Sequence, residues 1–147
     1  MAMATLLAIV GMPQAASASP GWQQYTATSK WHCGDYYVVD QIAVFQACVV
    51  VNGNATQAVI TVRNNTSTTI QIGLPSFNLY GAGSSVYMEH CNDSWLSPGA
   101  NAACFGATVS RACGTYVQAR GTVYARYPEG RWGYISNAWS VSTKMCT

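Results

Sequence analysis

Between Tyr116 and Tyr127 the side chains alternate without a break. Val117, Ala119, Gly121, Val123, Ala125 and Tyr127 form one set, and Tyr116, Gln118, Arg120, Thr122, Tyr124 and Arg126 form the other. A period of two sends successive side chains to opposite faces of an extended chain. This stretch therefore predicts a strand with its small apolar set on a core and its polar-aromatic set toward water. Pro128-Glu129-Gly130 turns the chain, and 131–136 returns beside it. The same period governs the middle of the sequence. Ala43, Phe45, Ala47, Val49 and Val51 alternate with Ile42, Val44, Cys48 and Val50. Both sets are apolar, which predicts a central strand or one covered on both sides. Asn52-Gly53 is a tight-turn signal because both residues tolerate positive φ, and 58–63 reads as the return strand.

Further along, Asn64-Asn65-Thr66-Ser67 reads as a second turn. Ile70 and Ile72 open a third strand, Pro75 is expected to interrupt it, and Phe77 to Tyr80 to continue as a short fourth. Gly81-Ala82-Gly83-Ser84-Ser85 reads as a loop, 86–90 as a strand, Trp95 to Gly99 as a turn behind an aromatic anchor, and 102–106 as another short strand. No segment shows an apolar 3.6 repeat with a cap and a stop. The prediction is an all-β fold: a single antiparallel β-sandwich of about seven strands, with a partly closed β-barrel as the alternative.

Cys33, Cys48, Cys91, Cys104, Cys113 and Cys146 are even in number and follow a leader-like N-terminus. The segment 1–12 is apolar but for Thr5 and Gly11, and Ala16-Ser17-Ala18 has the small-x-small form of a signal-peptidase site. No basic residue precedes the apolar run, an unusual feature for such a leader. The expectation is a cleaved signal peptide over 1–18 and one disulfide-stapled domain over 19–147, with no membrane anchor after cleavage. Six cysteines allow 15 pairings. The preferred one is sequential, Cys33–Cys48, Cys91–Cys104 and Cys113–Cys146, so that each bridge brackets a local segment. His32-Cys33 and His90-Cys91 invite a metal reading, but neighbours on a strand point apart and no zinc-ligand spacing is present. No metal or cofactor is expected.

Charge is sparse, with seven basic and five acidic residues and a net charge of +2. That balance lacks the basic stripe of a nucleic-acid binder. The ionisable candidates for catalysis are His32, His90, Asp35, Asp40, Glu89, Asp93 and Glu129. Glu89 and His90 are adjacent on an expected strand, and no serine sits in a G-x-S-x-G elbow, so no catalytic residues are predicted. Surface chemistry is concentrated instead between 111 and 139, which holds four of the five arginines and six Tyr or Trp residues. Tyr116, Arg120, Tyr124, Arg126, Arg131, Trp132 and Tyr134 are the candidate binding residues, since exposed aromatics and arginines dominate recognition hot spots. The bland account of the same pattern is that aromatics favour strands. Four N-x-S/T acceptor patterns begin at Asn54, Asn64, Asn65 and Asn92.

The run Cys91-Asn92-Asp93-Ser94-Trp95-Leu96-Ser97-Pro98-Gly99, followed by Cys104-Phe105-Gly106 and Cys113, resembles a pattern in small exported proteins of actinobacteria. So does Cys48-Val49-Val50-Val51-Asn52-Gly53 leading into Val59-Ile60-Thr61-Val62-Arg63. The resemblance spans about 33–127 and implies export, disulfides and an immunoglobulin-like sandwich, but no activity. The resulting expectation is a secreted, non-enzymatic protein binding a cell-wall polysaccharide or a secreted or surface protein. The alternatives are an inhibitor of a hydrolase presenting the 91–104 segment, and a small hydrolase dependent on His32 or His90.

Overall fold

The computed structural model describes residues 21–147. The leader expected over 1–18 lies outside them. The described chain is all strand and turn: β1 (Trp22–Gln23), β2 (Trp31–Val39), β3 (Ala43–Asn52), β4 (Ala55–Asn64), β5 (Ile70–Gly81), β6 (Ser84–Leu96), β7 (Asn101–Phe105), β8 (Val109–Ser110), β9 (Tyr116–Arg126), β10 (Trp132–Trp139) and β11 (Thr143–Lys144). A first sheet runs β1-β7-β4-β3-β2, with β8 also on β4, and a second runs β10-β9-β5-β6, with β11 also on β9. All pairings are antiparallel. The chain crosses from the first sheet to the second after β4, back after β6, and over again before β9. β4 thus pairs with β7 while β5 pairs with β9, the strand exchange of an immunoglobulin-like sandwich. The sheets do not close into a barrel.

The alternating sets fall where period-two patterning puts them. Ala43, Phe45, Ala47, Val49 and Val51 from β3 and Val117, Ala119, Val123 and Ala125 from β9 all enter one core with Phe77, Ile60, Ile70, Ile72, Leu74 and Leu79. Gly121 lacks a side chain because Ile60 of the opposite sheet needs the space: a Cβ there would lie 2.9 Å from the Ile60 Cδ1. Antibody domains place their inter-sheet disulfide between the strands equivalent to β4 and β9. Here the inter-sheet bridge is Cys91–Cys104, joining β6 to β7. Tyr87 of β6 reinforces it by accepting the Ala58 N–H of β4 at 3.0 Å. The other bridges are Cys33–Cys48, across the β2–β3 pair, and Cys113–Cys146, which ties the chain end to the segment before β9. The sequential pairing is the observed one.

Several local expectations need correction. Residues 31–39, left without an assignment by the patterning, form β2. Its apolar residues do not alternate cleanly, and a register shift between Cys33 and Tyr36 breaks the period. Pro75 does not interrupt a strand: β5 is continuous, and Pro75 sits in a bulge between Gly73 and Ser76, where no ladder N–H is required. Residues 81–85 are not a loop but a hairpin whose two-residue turn, Ala82-Gly83, has positive φ at both positions (51° and 79°). The β3–β4 turn is one residue later than Asn52-Gly53 suggests. Its central residues are Gly53-Asn54, and only Gly53 has positive φ (63°). Tyr127, assigned to the core face, does pack against the core but stays half-buried, with the Arg131 guanidinium 4.2 Å from its ring centroid.

Candidate functional site

The two outer faces of the sandwich differ in what covers them. On the first sheet, the apolar set of β3 that points away from the core meets Val59 and Ala103 around the Cys33–Cys48 bridge. Tyr25, Trp31 and Phe105 pack onto that patch, with the Tyr25 and Trp31 rings stacked at 5.4 Å. The stacked Tyr25 and Trp31 thus cover part of this face, while Tyr36 and Val38 farther along β2 stay 71% and 56% exposed. The outer face of the second sheet has no such cover among the described residues.

Register places the side chains on that open face in rows. Trp132 of β10 opposes Arg126 of β9, Arg126 opposes Gln71 of β5, and Gln71 opposes Trp95 of β6. Directly opposed residues share a face, so this row crosses four strands, about 14 Å at ordinary strand spacing. Trp95 and Trp132, at its two ends, are 61% and 59% exposed. In the next row Tyr134, also 59% exposed, opposes Tyr124, which opposes Gly73. The Trp132 and Tyr134 rings stack at 5.8 Å with a 22° tilt. Between them and β6 lies an open trough of about 600 Å³ whose walls include Gln71, Pro75, Asp93, Tyr124 and Arg126.

The floor of the trough depends on Gly73. A Cβ at that position would stand 2.2 Å from Tyr124 Cε1 and 2.6 Å from Asp93 Oδ1. The missing side chain lets the Tyr124 ring lie against the strand with the Asp93 carboxylate beside it. The register that pairs Gln71 with Trp95 and Ile72 with Ser94 brings Asp93 beside Gly73, just before the β5–β6 pairing shifts at Leu74. Burial, and then the Asp93 carboxylate at its hydroxyl, push the Tyr124 pKa up to about 12, so the phenol is neutral at physiological pH. The trough thus combines flat apolar rings with a carboxylate, an amide and a guanidinium.

Of the seven candidate residues, Tyr124, Arg126, Trp132 and Tyr134 come together here. Arg120 points to the same side, but its guanidinium donates to the Tyr80 hydroxyl at 3.2 Å and lies 5.3 Å from the centroid of the Trp139 ring. Tyr116 is exposed at the far end of β9, opposite Lys144. Arg131 belongs to the β9–β10 turn, with Asp40 at 3.8 Å and Glu129 at 4.0 Å. Sequence reasoning missed Gln71, Asp93 and Trp95. Trp95 reads as the anchor of a turn until the β5–β6 pairing is known, and nothing local to Asp93 announces that Gly73 stands opposite it.

The residues of the alternative readings lie apart. His32 is on β2, at one edge of the first sheet, and His90 is on β6, at an edge of the second. The Glu89 carboxylate accepts the Ala107 N–H at 3.1 Å. The 91–104 segment is strand through Leu96 and again from Asn101, with 97–100 as the connecting loop. No family model and no curated protein matches this chain, so the surface is read on its own chemistry.

Proposed function

We propose that this is an extracellular, non-catalytic protein that holds a polysaccharide of a cell surface on the outer face of its second sheet. The observation carrying this reading is the row Trp132–Arg126–Gln71–Trp95, with the Tyr124–Asp93 trough beside it. A sugar ring has an apolar C–H face, attracted by the negative face of an aromatic ring, and a rim of hydroxyls that satisfies amide, carboxylate and guanidinium groups. A surface that alternates rings with such groups over about 14 Å suits an extended chain of sugars. A stable protein interface would favour a contiguous apolar centre with charge excluded from it, and Arg126 and Asp93 stand in the middle of this one.

Three disulfides within one chain fit an oxidising compartment. The resemblance to exported actinobacterial proteins makes bacterial cell wall the first polymer to test. Co-sedimentation with insoluble peptidoglycan, chitin, cellulose and xylan is the direct experiment. The wild-type protein should be retained on at least one polymer, and Trp132→Ala or Tyr124→Ala should weaken retention about tenfold, the effect of one lost aromatic contact. Failure to sediment with any of the four, or retention unaffected by both substitutions, would overturn the reading.

A further inference from the structure

At the opposite end of the β5–β6 hairpin lies a second concavity, of about 700 Å³, and its chemistry differs from that of the trough. Its walls come from the β5–β6 turn, from β8 and from the segment that follows β8. The lining is small and hydroxylic, with Asn54, Ser84, Ser85, Ser110 and Thr115, and contains no acidic residue. Its single charge is Arg111. The stem of that arginine runs over the Gly81 backbone, where a Cβ would meet Nε at 3.6 Å and Cδ at 3.8 Å. The backbone N–H of Arg111 donates to the Asn54 carbonyl at 2.8 Å, which fixes the residue to the β3–β4 turn.

The guanidinium itself is uncommitted. Its Nε is buried and has no protein acceptor among the described residues, and both ion pairs found there belong to Arg131. A buried N–H of a charged group left without an acceptor costs more than a neutral one. The only other buried side-chain polar atom without a partner among the described residues is Thr56 Oγ1. Thr56 is paired with Val109, beside the Ala55–Ser110 pair of the same β4–β8 corner. Both such atoms therefore occur at this corner of the molecule.

From this we infer that the Arg111 cavity is a binding site for an oxyanion, a carboxylate, sulfate or phosphate group held by the guanidinium with hydroxyls of Ser84 and Ser110 on the rim. A guanidinium presents parallel donors that match two oxygens of such a group, and the acid-free lining leaves its charge uncompensated. Ser84 and Ser110 are exposed, so the group can arrive as a free ion or as the acidic substituent of a polymer. The inference is independent of the polysaccharide reading, because the trough and this cavity share no residue.

The test follows the Arg111 Nε–H and the 110–112 amides by ¹H–¹⁵N NMR. The ¹⁵N-labelled protein is titrated with inorganic phosphate, with acetate and, at matched ionic strength, with chloride. A saturable shift with phosphate or acetate and none with chloride is expected. Arg111→Lys should weaken it about tenfold or more, the effect of losing a charge-assisted hydrogen bond in fixed geometry, whereas Arg63→Gln, an exposed arginine elsewhere, should leave it unchanged. If the acidic polymer polygalacturonate produces the shift at lower group concentration than acetate, the source is a polymer substituent; equal effect assigns it to free ions. Absence of any saturable shift in the wild-type protein, or shifts equal with chloride, would overturn the site, while polysaccharide retention by Arg111→Lys would stay at the wild-type level.

Discussion

Asn64, at the end of β4, is fully buried and makes five hydrogen bonds through its side chain. Its Nδ2 donates to the carbonyls of Thr68 at 2.8 Å, Leu96 at 2.9 Å and Ser97 at 3.1 Å, and its Oδ1 accepts from the Thr66 N–H and hydroxyl. One side chain thereby fixes the crossing from the first sheet to the second together with the end of β6. Replacement by Ala should be severe. Thr66, Thr68 and Ser97 lie near water and recover part of their loss, about 1 kcal/mol net for each bond. The Leu96 carbonyl is in the buried part of the network and would be stranded, at about 1–3 kcal/mol. Four such bonds and the stranded carbonyl together make a loss of about 5–7 kcal/mol. In equilibrium urea unfolding, with a slope of about 2 kcal/mol/M for a chain of this size, the midpoint should fall by about 3 M. Asn65→Ala, at the exposed neighbour, should stay within about 0.5 kcal/mol of wild type. An Asn64→Ala protein within about 1 kcal/mol of wild type would refute the claim that this network holds the crossover. The same burial predicts that, in a glycosylating host, sugar will be found at the exposed Asn65 or not in this turn at all.

Three further outcomes follow from particular contacts. Burial, with the Glu89 charge assisting and the Ala58 N–H opposing, pushes the Tyr87 pKa up to about 12. The unfolded tyrosine ionises near pH 10, so its contribution is complete below that pH and is lost as pH rises toward 12. Stability measured by denaturant titration should fall by about 2 kcal/mol over that window, and less steeply in Tyr87→Phe; identical slopes would contradict the assignment. Ala82 carries a φ of 51° in the β5–β6 turn, a left-handed conformation that costs an L-residue other than Asn or Asp roughly 1 kcal/mol. Ala82→Asn should therefore raise the thermal midpoint, and a lowered one would show that the turn is not of this type. Removing the Cys91–Cys104 bridge as a double Ser variant should cost about 3 kcal/mol, from a sequence separation of 13, in non-reducing urea unfolding.

Where the chain repeats with period two, its fold is legible. The inward and outward sets of β3 and β9 follow directly from alternation, because the core selects one face. Legibility ends where the period breaks. β2 shifts register after Cys33, and β5 carries bulges on both of its neighbours between Ile72 and Phe77, so Ile70, Ile72 and Leu74 keep the alternation whereas Phe77 and Leu79 enter the core one residue out of step. In the trough, Gly73 and Asp93 reach Tyr124 through the pairing of β5 with β9 and with β6, which no local pattern announces, whereas Trp132 and Tyr134 follow from alternation on a hairpin. The disulfides were accessible for a different reason: sequential cysteines bracketing hairpins and crossovers need little chain to close. Arg120, by contrast, lies on the expected face, yet it is held by Tyr80 and Trp139, partners far away in sequence.

The outer face of the second sheet, and not that of the first, is proposed to meet the ligand. Amide shift mapping of the ¹⁵N-labelled protein with soluble oligosaccharides from whichever polymer retains it addresses that claim directly. The shifts should cluster at 71–76, 93–96, 122–126 and 132–135. Shifts concentrated instead around Tyr25, Trp31 and Phe105, or spread evenly over both faces, would contradict it.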